Sequence, residues 1–180
     1  MNRESYTKVS VIKHKAQRVA ILIDVQNLYH SARNLYNSRV NFKEVMKTAV
    51  AGRNLVRALA YVIRTESGEE KTFLDALTKI GIETRIKDLQ IFPGGMKKAD
   101  WDVGMAMDAV KLGNRIDAIV LMSGDGDFIP LIDYLHEVNG IQVEVAAFGR
   151  SSSQRLKEVA DDFTDLGGSA SKFLMRISEH

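Results

Sequence analysis

The chain has 180 residues, no cysteine and a formal net charge of +2. This length suits one domain with a substantial hydrophobic core. The absence of cysteine excludes a disulfide framework, a thiolate zinc site and a cysteine nucleophile, and it agrees with a reducing compartment. No apolar run approaches the ~20 residues of a membrane-spanning helix, and no signal peptide is recognisable, so we expect a soluble, cytoplasmic protein.

The amino-terminal residues 1–17 are predicted to form a basic arm before the domain. The first eighteen residues contain a single acid, Glu4, and five basic residues, which are Arg3, Lys8, Lys13, Lys15 and Arg18. Such an arm could contact phosphate, although a solvated segment is the more common outcome. One domain is expected over residues 18–166, followed by a tail over residues 167–180 in which a flexible linker leads to a short helix near Phe173.

The first predicted strand is the apolar run Arg18 to Val25, in which Asp24 stands at the carboxyl end. A helix with one apolar face follows over residues 27–37. An ionised carboxylate at the end of a buried strand is costly unless it is paired, capped or bound to a metal, so Asp24 is a candidate ligand. Asn27 could cap the helix or take part in the site.

Periodicity predicts the next four elements as helix, strand, helix and strand over residues 42–51, 54–64, 72–80 and 83–92. The last strand alternates apolar and charged residues, which indicates an edge of the sheet. The loop Pro93-Gly94-Gly95 is predicted to be the most mobile segment within the domain.

A helix predicted over residues 99–112 brings further acids. Asp100 and Asp102 lie in or near its first turn, where the helix dipole favours negative charge. Asp102 precedes the apolar residues Met105 and Ala106 by three and four positions, so it is expected to reach inward at the top of the sheet. Asp108 is displaced from that face, and its role stays open.

The most informative stretch joins a buried strand to two carboxylates. The apolar run Ala118 to Met122 predicts a central strand buried on both faces. Ser123-Gly124 end this strand, and Asp125 and Asp127 stand where the helix containing Pro130 begins. One aspartate would suffice to cap that helix. A second in the same turn indicates a divalent cation.

The fifth predicted strand, over residues 141–148, leads to a polar segment and a last helix. Ser151 begins a serine run that is expected to contain a helix N-cap, and beside Arg150 and Arg155 it could also hold a phosphate. The helix is predicted to continue as far as Phe163.

Alternation of strands and helices predicts a doubly wound α/β three-layer sandwich with a mostly parallel five-stranded sheet in the order 3-2-1-4-5. Since this order makes strands one and four neighbours, Asp24, Asp125 and Asp127 should converge at their carboxyl ends. Asp102 would lean in from the helix between strands three and four. Carboxylates without cysteine or histidine favour Mg²⁺ or Mn²⁺, which can activate water for attack on a phosphodiester.

Three motifs and a carboxy-terminal segment occur in order: Ile23-Asp24-Val-Gln-Asn27-Leu28, Lys98-Ala-Asp-Trp-Asp102-Val-Gly104, Ser123-Gly-Asp125-Gly-Asp127-Phe128 and residues 143–166. They resemble the NYN domain, in particular its LabA-like bacterial branch within the PIN-like nuclease superfamily. The resemblance implies a PIN-like fold and a Mg²⁺- or Mn²⁺-dependent nuclease site, usually acting on RNA. The acids that the resemblance implies as catalytic and metal-binding are Asp24, Asp102, Asp125 and Asp127. Asn27 is implied to position a ligand or water. Asp100 and Asp108 are implied as possible additional acids.

We therefore expect a metal-dependent ribonuclease with a rim of phosphate contacts at Lys97, Lys98, Arg150, Ser151 and Arg155. Taken singly, each of the four basic residues is better interpreted as a solvated surface charge, whereas as a group at the rim of an acidic site they favour contact with phosphate. The alternative function is a non-catalytic regulatory or RNA-binding module that keeps the acids as a structural metal site. RNA is the expected partner, a membrane is not, and association into a homo-oligomer is left open.

Overall fold

The computed structural model describes residues 11–65 and 70–177, except for the side chains of residues 97 and 98. Most of the predicted basic arm and the last three residues of the tail therefore lie outside the described residues. The strands are β1 (Arg18–Asp24), β2 (Ser38–Val40), β3 (Asn54–Arg64), β4 (Glu83–Asp88), β5 (Gln90–Ile91), β6 (Lys97–Lys98), β7 (Ala118–Met122), β8 (Gln142–Ala147), β9 (Asp162–Asp165) and β10 (Leu174–Arg176). The α-helices are α1 (Val25–Tyr36), α2 (Phe42–Val50), α3 (Lys71–Lys79), α4 (Asp102–Gly113), α5 (Ile129–Tyr134), α6 (Gln154–Val159) and α7 (Ala170–Phe173).

A parallel sheet of six strands, in the order β4-β3-β1-β7-β8-β9, lies at the centre of the fold. The predicted class and the relative order of the five predicted strands are confirmed. β1 lies between β3 and β7, with Ile21 opposite both Ala58 and Val120. Since β1 and β7 are apolar and buried on both faces, they form the core of a sheet covered by helices. The strand order reverses between them, which is where ligands bind in such folds.

The sixth strand, β9, corrects the predicted count of five. Periodicity placed Phe163 on the last helix, but α6 ends at Val159 and residues 162–165 pair in parallel with β8. The Asp161 carboxylate accepts the backbone N–H of Val143 at 2.7 Å and so fixes the chain against the sheet. The spacing of the apolar residues in this segment also suits a helix, but its pairing with β8 makes it a strand.

Two short antiparallel ribbons were also missing from the prediction. The predicted third strand is divided, because β4 forms the edge of the main sheet and β5 turns into a hairpin with β6. At the carboxyl terminus, β10 pairs with β2, and Phe173 just before it is buried. The described part of the tail is therefore packed onto the domain. None of the helices in the described parts of the chain is long and apolar enough to cross a bilayer.

A buried ion pair joins the end of α2 to β8. Arg53 donates from Nη1 to Glu144 Oε1 at 2.5 Å and from Nη2 to Glu144 Oε2 at 3.1 Å. Both residues are at most 5% exposed. Arg53 also donates to the carbonyls of Ala49 and Val50, and Lys13 of the predicted arm lies 3.2 Å from Glu144. The pair therefore anchors both α2 and the described part of the arm.

We expect Glu144→Gln to destabilise the fold by about 3–5 kcal/mol, because it leaves the Arg53 guanidinium buried without its counter-charge. The matched control is Glu83→Gln, which removes the carboxylate from the exposed Arg57–Glu83 pair and should cost less than about 1 kcal/mol. Urea unfolding of the two variants measures the difference. Equal losses would contradict the anchoring role of the buried pair.

Candidate metal centre

Three carboxylates converge at the carboxyl edge of the sheet. Asp102, Asp125 and Asp127 each offer an oxygen atom, and these oxygens lie within 4.8 Å of one another. Asp102 is the first residue of α4, while the other two follow β7. The side chains are partly exposed, so the group is open to solvent on one side. We call these three residues the acid group.

Asp125 also shapes the turn in which it lies. Its carboxylate accepts the backbone N–H of Asp127 at 2.9 Å and caps the short 3₁₀ helix Gly126–Phe128, which leads into α5. The capping interpretation and the metal interpretation therefore apply to the same side chain. The hydrogen bond uses one carboxylate oxygen and sets the spacing of the two acids.

Asp24 and Asn27 tie this turn to the end of β1. Asp24 caps α1 by accepting the backbone N–H of Asn27 at 3.0 Å, and its second oxygen accepts the Ser123 hydroxyl at 3.0 Å. The side-chain oxygen of Asn27 accepts the backbone N–H of Gly124 at 3.0 Å. Asp24 lies outside the acid group, but it lines a cavity together with Asp102 and Asp125. Asn27 holds the turn and does not cap the helix.

The acids disfavour one another's ionised forms. Burial raises the pKa of Asp102 above its ordinary value, and the charges of Asp125, Asp24, Asp100 and Asp127 raise it further. The pKa of Asp24 is also raised, mainly by burial, although its hydrogen bonds act in the opposite direction. Negative charge is therefore concentrated where the strands end, and a bound cation would relieve it.

The donor set fits a hard divalent cation. All three groups are carboxylates, and the chain has no cysteine that could supply a softer ligand. The salt bridges found among the described residues engage other acids, so they do not neutralise the acid group. Mg²⁺ and Mn²⁺ both suit such a site.

A cavity of about 360 Å³ adjoins the acids. One wall is the first part of α1, where Gln26, His30 and Ser31 were not recognised from the sequence. The lining also includes the aromatic side chains of Tyr61 and Trp101. Gln26, His30 and Ser31 could have been identified from their position in the sequence, because the helix that follows a strand at the switch point borders the ligand crevice.

The two additional acids occupy different places. Asp100 is exposed and lines the cavity. Asp108 lies apart from the acid group, where it accepts the Tyr61 hydroxyl at 3.0 Å and approaches Arg85 at 3.7 Å. Trp101 donates its indole N–H to the carbonyl of Val62 at 3.0 Å, which ties the indole ring to β3.

The expected phosphate contacts are placed only in part. Ser151 lines the cavity and donates to the Ser31 hydroxyl at 2.8 Å. Arg150 and Arg155 are exposed on the segment whose Ser153 backbone N–H donates to the carbonyl of Gly124 at 2.9 Å. Ser153 caps α6, which agrees with the predicted N-cap in the serine run. The side chains of Lys97 and Lys98 lie outside the described parts of the chain.

Sheet order, switch point and acid group together define an α/β protein with a candidate metal site at the carboxyl edge. The NYN domain family model matches residues 18–167, so the chain belongs to the NYN domain family. This agrees with the resemblance found in the motifs. The chain is 26% identical over 167 residues to the Low amplitude and bright protein LabA of Synechococcus elongatus, covering 84% of this chain and 85% of that protein. A crystal structure of a protein of unknown function from Vibrio parahaemolyticus shares 32% identity and a TM-score of 0.82, covering 89% of this chain and 98% of that one.

Gly124→Ala should disrupt the acidic turn. A Cβ at this position would lie 2.5 Å from Ser152 Oγ and 3.0 Å from Ser152 Cα, and the backbone atom cannot rotate away. We expect a loss of about 1–3 kcal/mol in unfolding free energy. Gly126→Ala is the matched control, because its Cβ would meet side-chain atoms alone, those of Ser153 at 3.0 and 3.2 Å and Ile129 Cδ1 at 3.9 Å. Thermal unfolding of both variants tests this, and equal shifts would argue against close packing at Gly124.

Asp102→Asn should stabilise the metal-free protein slightly at pH 7. Since folding raises the pKa of Asp102, its ionised form opposes folding; this cost is absent at low pH and appears as the pH rises through the raised pKa. The gain over wild type should therefore disappear near pH 3. Added Mn²⁺ should stabilise the wild type more than the variant. Thermal unfolding with and without Mn²⁺ measures both effects, with Asp133→Asn on an exposed part of α5 as the control.

Proposed function

We propose that this protein is a metal-dependent ribonuclease that hydrolyses RNA phosphodiester bonds at the acid group. The observation that carries the proposal is the convergence of Asp102, Asp125 and Asp127 beside a cavity at the switch point. Membership of the NYN family supports it, since this family is similar to PIN-like nucleases and its members generally act on nucleic acids.

In this proposal Asp102, Asp125 and Asp127 hold one or two Mg²⁺ or Mn²⁺ ions, with Asp24 as a fourth ligand, directly or through water. Such an ion supplies Lewis acidity and lowers the pKa of a coordinated water. Asn27 keeps the turn in place through the Gly124 N–H. The burial of Asp24 and its two hydrogen bonds support a role in aligning the acids as well as in binding the ion.

The remaining expected contacts serve the RNA backbone. Arg150, Ser151 and Arg155 belong to or border the segment that packs on the acidic turn, and Lys97 and Lys98 precede the helix that carries Asp102. Their contacts with phosphate would add affinity that falls with salt concentration and depends little on sequence. Asp100, at the rim of the cavity, is the additional acid best placed to act near the metal.

Asp125→Asn and Asp127→Asn should each reduce metal-dependent cleavage of single-stranded RNA by at least about 100-fold, while the fold is retained. Asparagine preserves the hydrogen-bonding shape of aspartate, including the cap at Asp125, but removes the charge that holds the cation. Asp133→Asn on α5 is the control for loss of an exposed carboxylate and should keep wild-type turnover. Gel-based cleavage of labelled RNA with Mn²⁺, Mg²⁺ or EDTA measures the effect.

Unchanged turnover in Asp125→Asn would show that the acid group takes no part in the reaction. A different pattern, in which Mn²⁺ raises the thermal stability of the wild type and no RNA is cleaved, would favour the non-catalytic regulatory module with a structural metal. The two readouts therefore separate a catalytic ion from a structural one.

A further inference from the structure

We propose that the cavity beside the acid group binds one nucleoside of the RNA chain, and that Gln26 and His30 are the residues that recognise it. This inference rests on the proposed function, because it assigns the cavity to the nucleotide adjoining the cleaved phosphate. It concerns the residues of the cavity lining other than the carboxylates.

Most polar groups of the cavity wall are already engaged within the protein. Asn27 accepts the Gly124 N–H, Ser31 accepts the Ser151 hydroxyl, and the Tyr61 hydroxyl and Trp101 indole N–H donate to Asp108 and Val62, respectively. These bonds build the wall. They fix the orientation of those side chains, although the Asn27 amide and the Ser31 hydroxyl keep N–H and O–H donors outside these bonds.

Gln26 and His30 differ from these neighbours. Both line the cavity, both are exposed, and none of the hydrogen bonds found among the described residues involves their side chains. They lie four positions apart on α1, so they project from one face of the helix about one turn apart. His30 also makes an edge-on ring contact with Tyr29. The polar atoms of both side chains are therefore available to a ligand in the cavity that they line.

The chemistry of this space suits the neutral part of a nucleotide. A glutamine amide offers donors and an acceptor, and an imidazole ring offers an N–H donor, which suits the edges of nucleobases and the ribose hydroxyls. The described residues that line the cavity include four carboxylates and neither lysine nor arginine, so a phosphate would be repelled from it unless a cation intervened. The phosphate therefore belongs on the acid group, and the nucleoside lies in the cavity.

The shape of the cavity agrees with this division. Ile63, Tyr61 and Trp101 contribute apolar and aromatic surface to the lining, and α1 contributes polar surface. A volume of about 360 Å³ lies at the small end of the range for ligand pockets, which suits one nucleoside rather than two. A base enclosed between such walls must be unpaired, because a duplex cannot enter.

The first test does not depend on cleavage. The imidazole signals of the four histidines are followed by NMR while the four nucleoside 5′-monophosphates are added one at a time, with Mg²⁺ present and with ribose 5-phosphate as the control ligand. We expect the His30 signal to shift more with at least one nucleotide than with ribose 5-phosphate, and the shift to be lost in Gln26→Ala. Equal shifts with ribose 5-phosphate, or none, would overturn the proposal whatever the cleavage assay gives.

The second test uses cleavage of a randomised single-stranded RNA library, followed by sequencing of the ends. In Gln26→Ala and His30→Ala we expect the ratio of the most to the least favoured base beside the cut to change by roughly 10-fold, the size expected for one lost base contact. Asn34→Ala, an exposed change on the same helix outside the cavity, should keep the wild-type ratio. An unchanged ratio in both cavity variants would refute base recognition.

These outcomes also distinguish this inference from the proposed function. Nucleotide-specific shifts of His30 in a protein that cleaves no RNA would retain the nucleoside pocket and reject the nuclease. Metal-dependent cleavage without nucleotide-specific shifts would retain the nuclease and reject the pocket.

Discussion

The parallel pairing of β1 with β7 determines where every group of the candidate site lies. These strands are separated by more than ninety residues in the chain, yet they place Asp24 next to Ser123 at the same edge of the sheet. The hydrogen bonds from Ser123 to Asp24 and from Gly124 to Asn27 then lock the turn that carries Asp125. A shift of register between the two strands would separate all of these groups at once.

Helix starts explain how the metal-free protein tolerates so many acids at one edge. Asp24 caps α1, Asp102 is the first residue of α4, and Asp125 caps the 3₁₀ turn before α5. Free N–H groups at these positions offset part of the negative charge. The raised pKa of Asp102 indicates that the compensation is incomplete. The same geometry therefore supports the fold and leaves negative charge at this edge that a cation could neutralise.

The sequence was sufficient for the order of the five predicted strands, because apolar runs that alternate with amphipathic helices are typical of a doubly wound sheet. It was insufficient for β9, since Phe163 suits a helix or a strand locally and only pairing with β8 decides between them. The distinction between Asp24, which is held by two hydrogen bonds, and the acid group depends on contacts across the sheet. Gln26 and His30 were missed for a related reason, because only the structure shows that they line the cavity and that none of the hydrogen bonds found among the described residues involves their side chains.

The central position of β1 also has a consequence during synthesis. The partner of β1, β7, is synthesised about one hundred residues after it, with Leu22 pairing to Leu121. At about 5–20 residues per second, the hydrophobic strand waits roughly 5–20 s beside an incomplete sheet. A large share of long-range parallel contacts slows folding further. The nascent chain is therefore most exposed to aggregation between the synthesis of β1 and that of β7. The acids come together only after that interval.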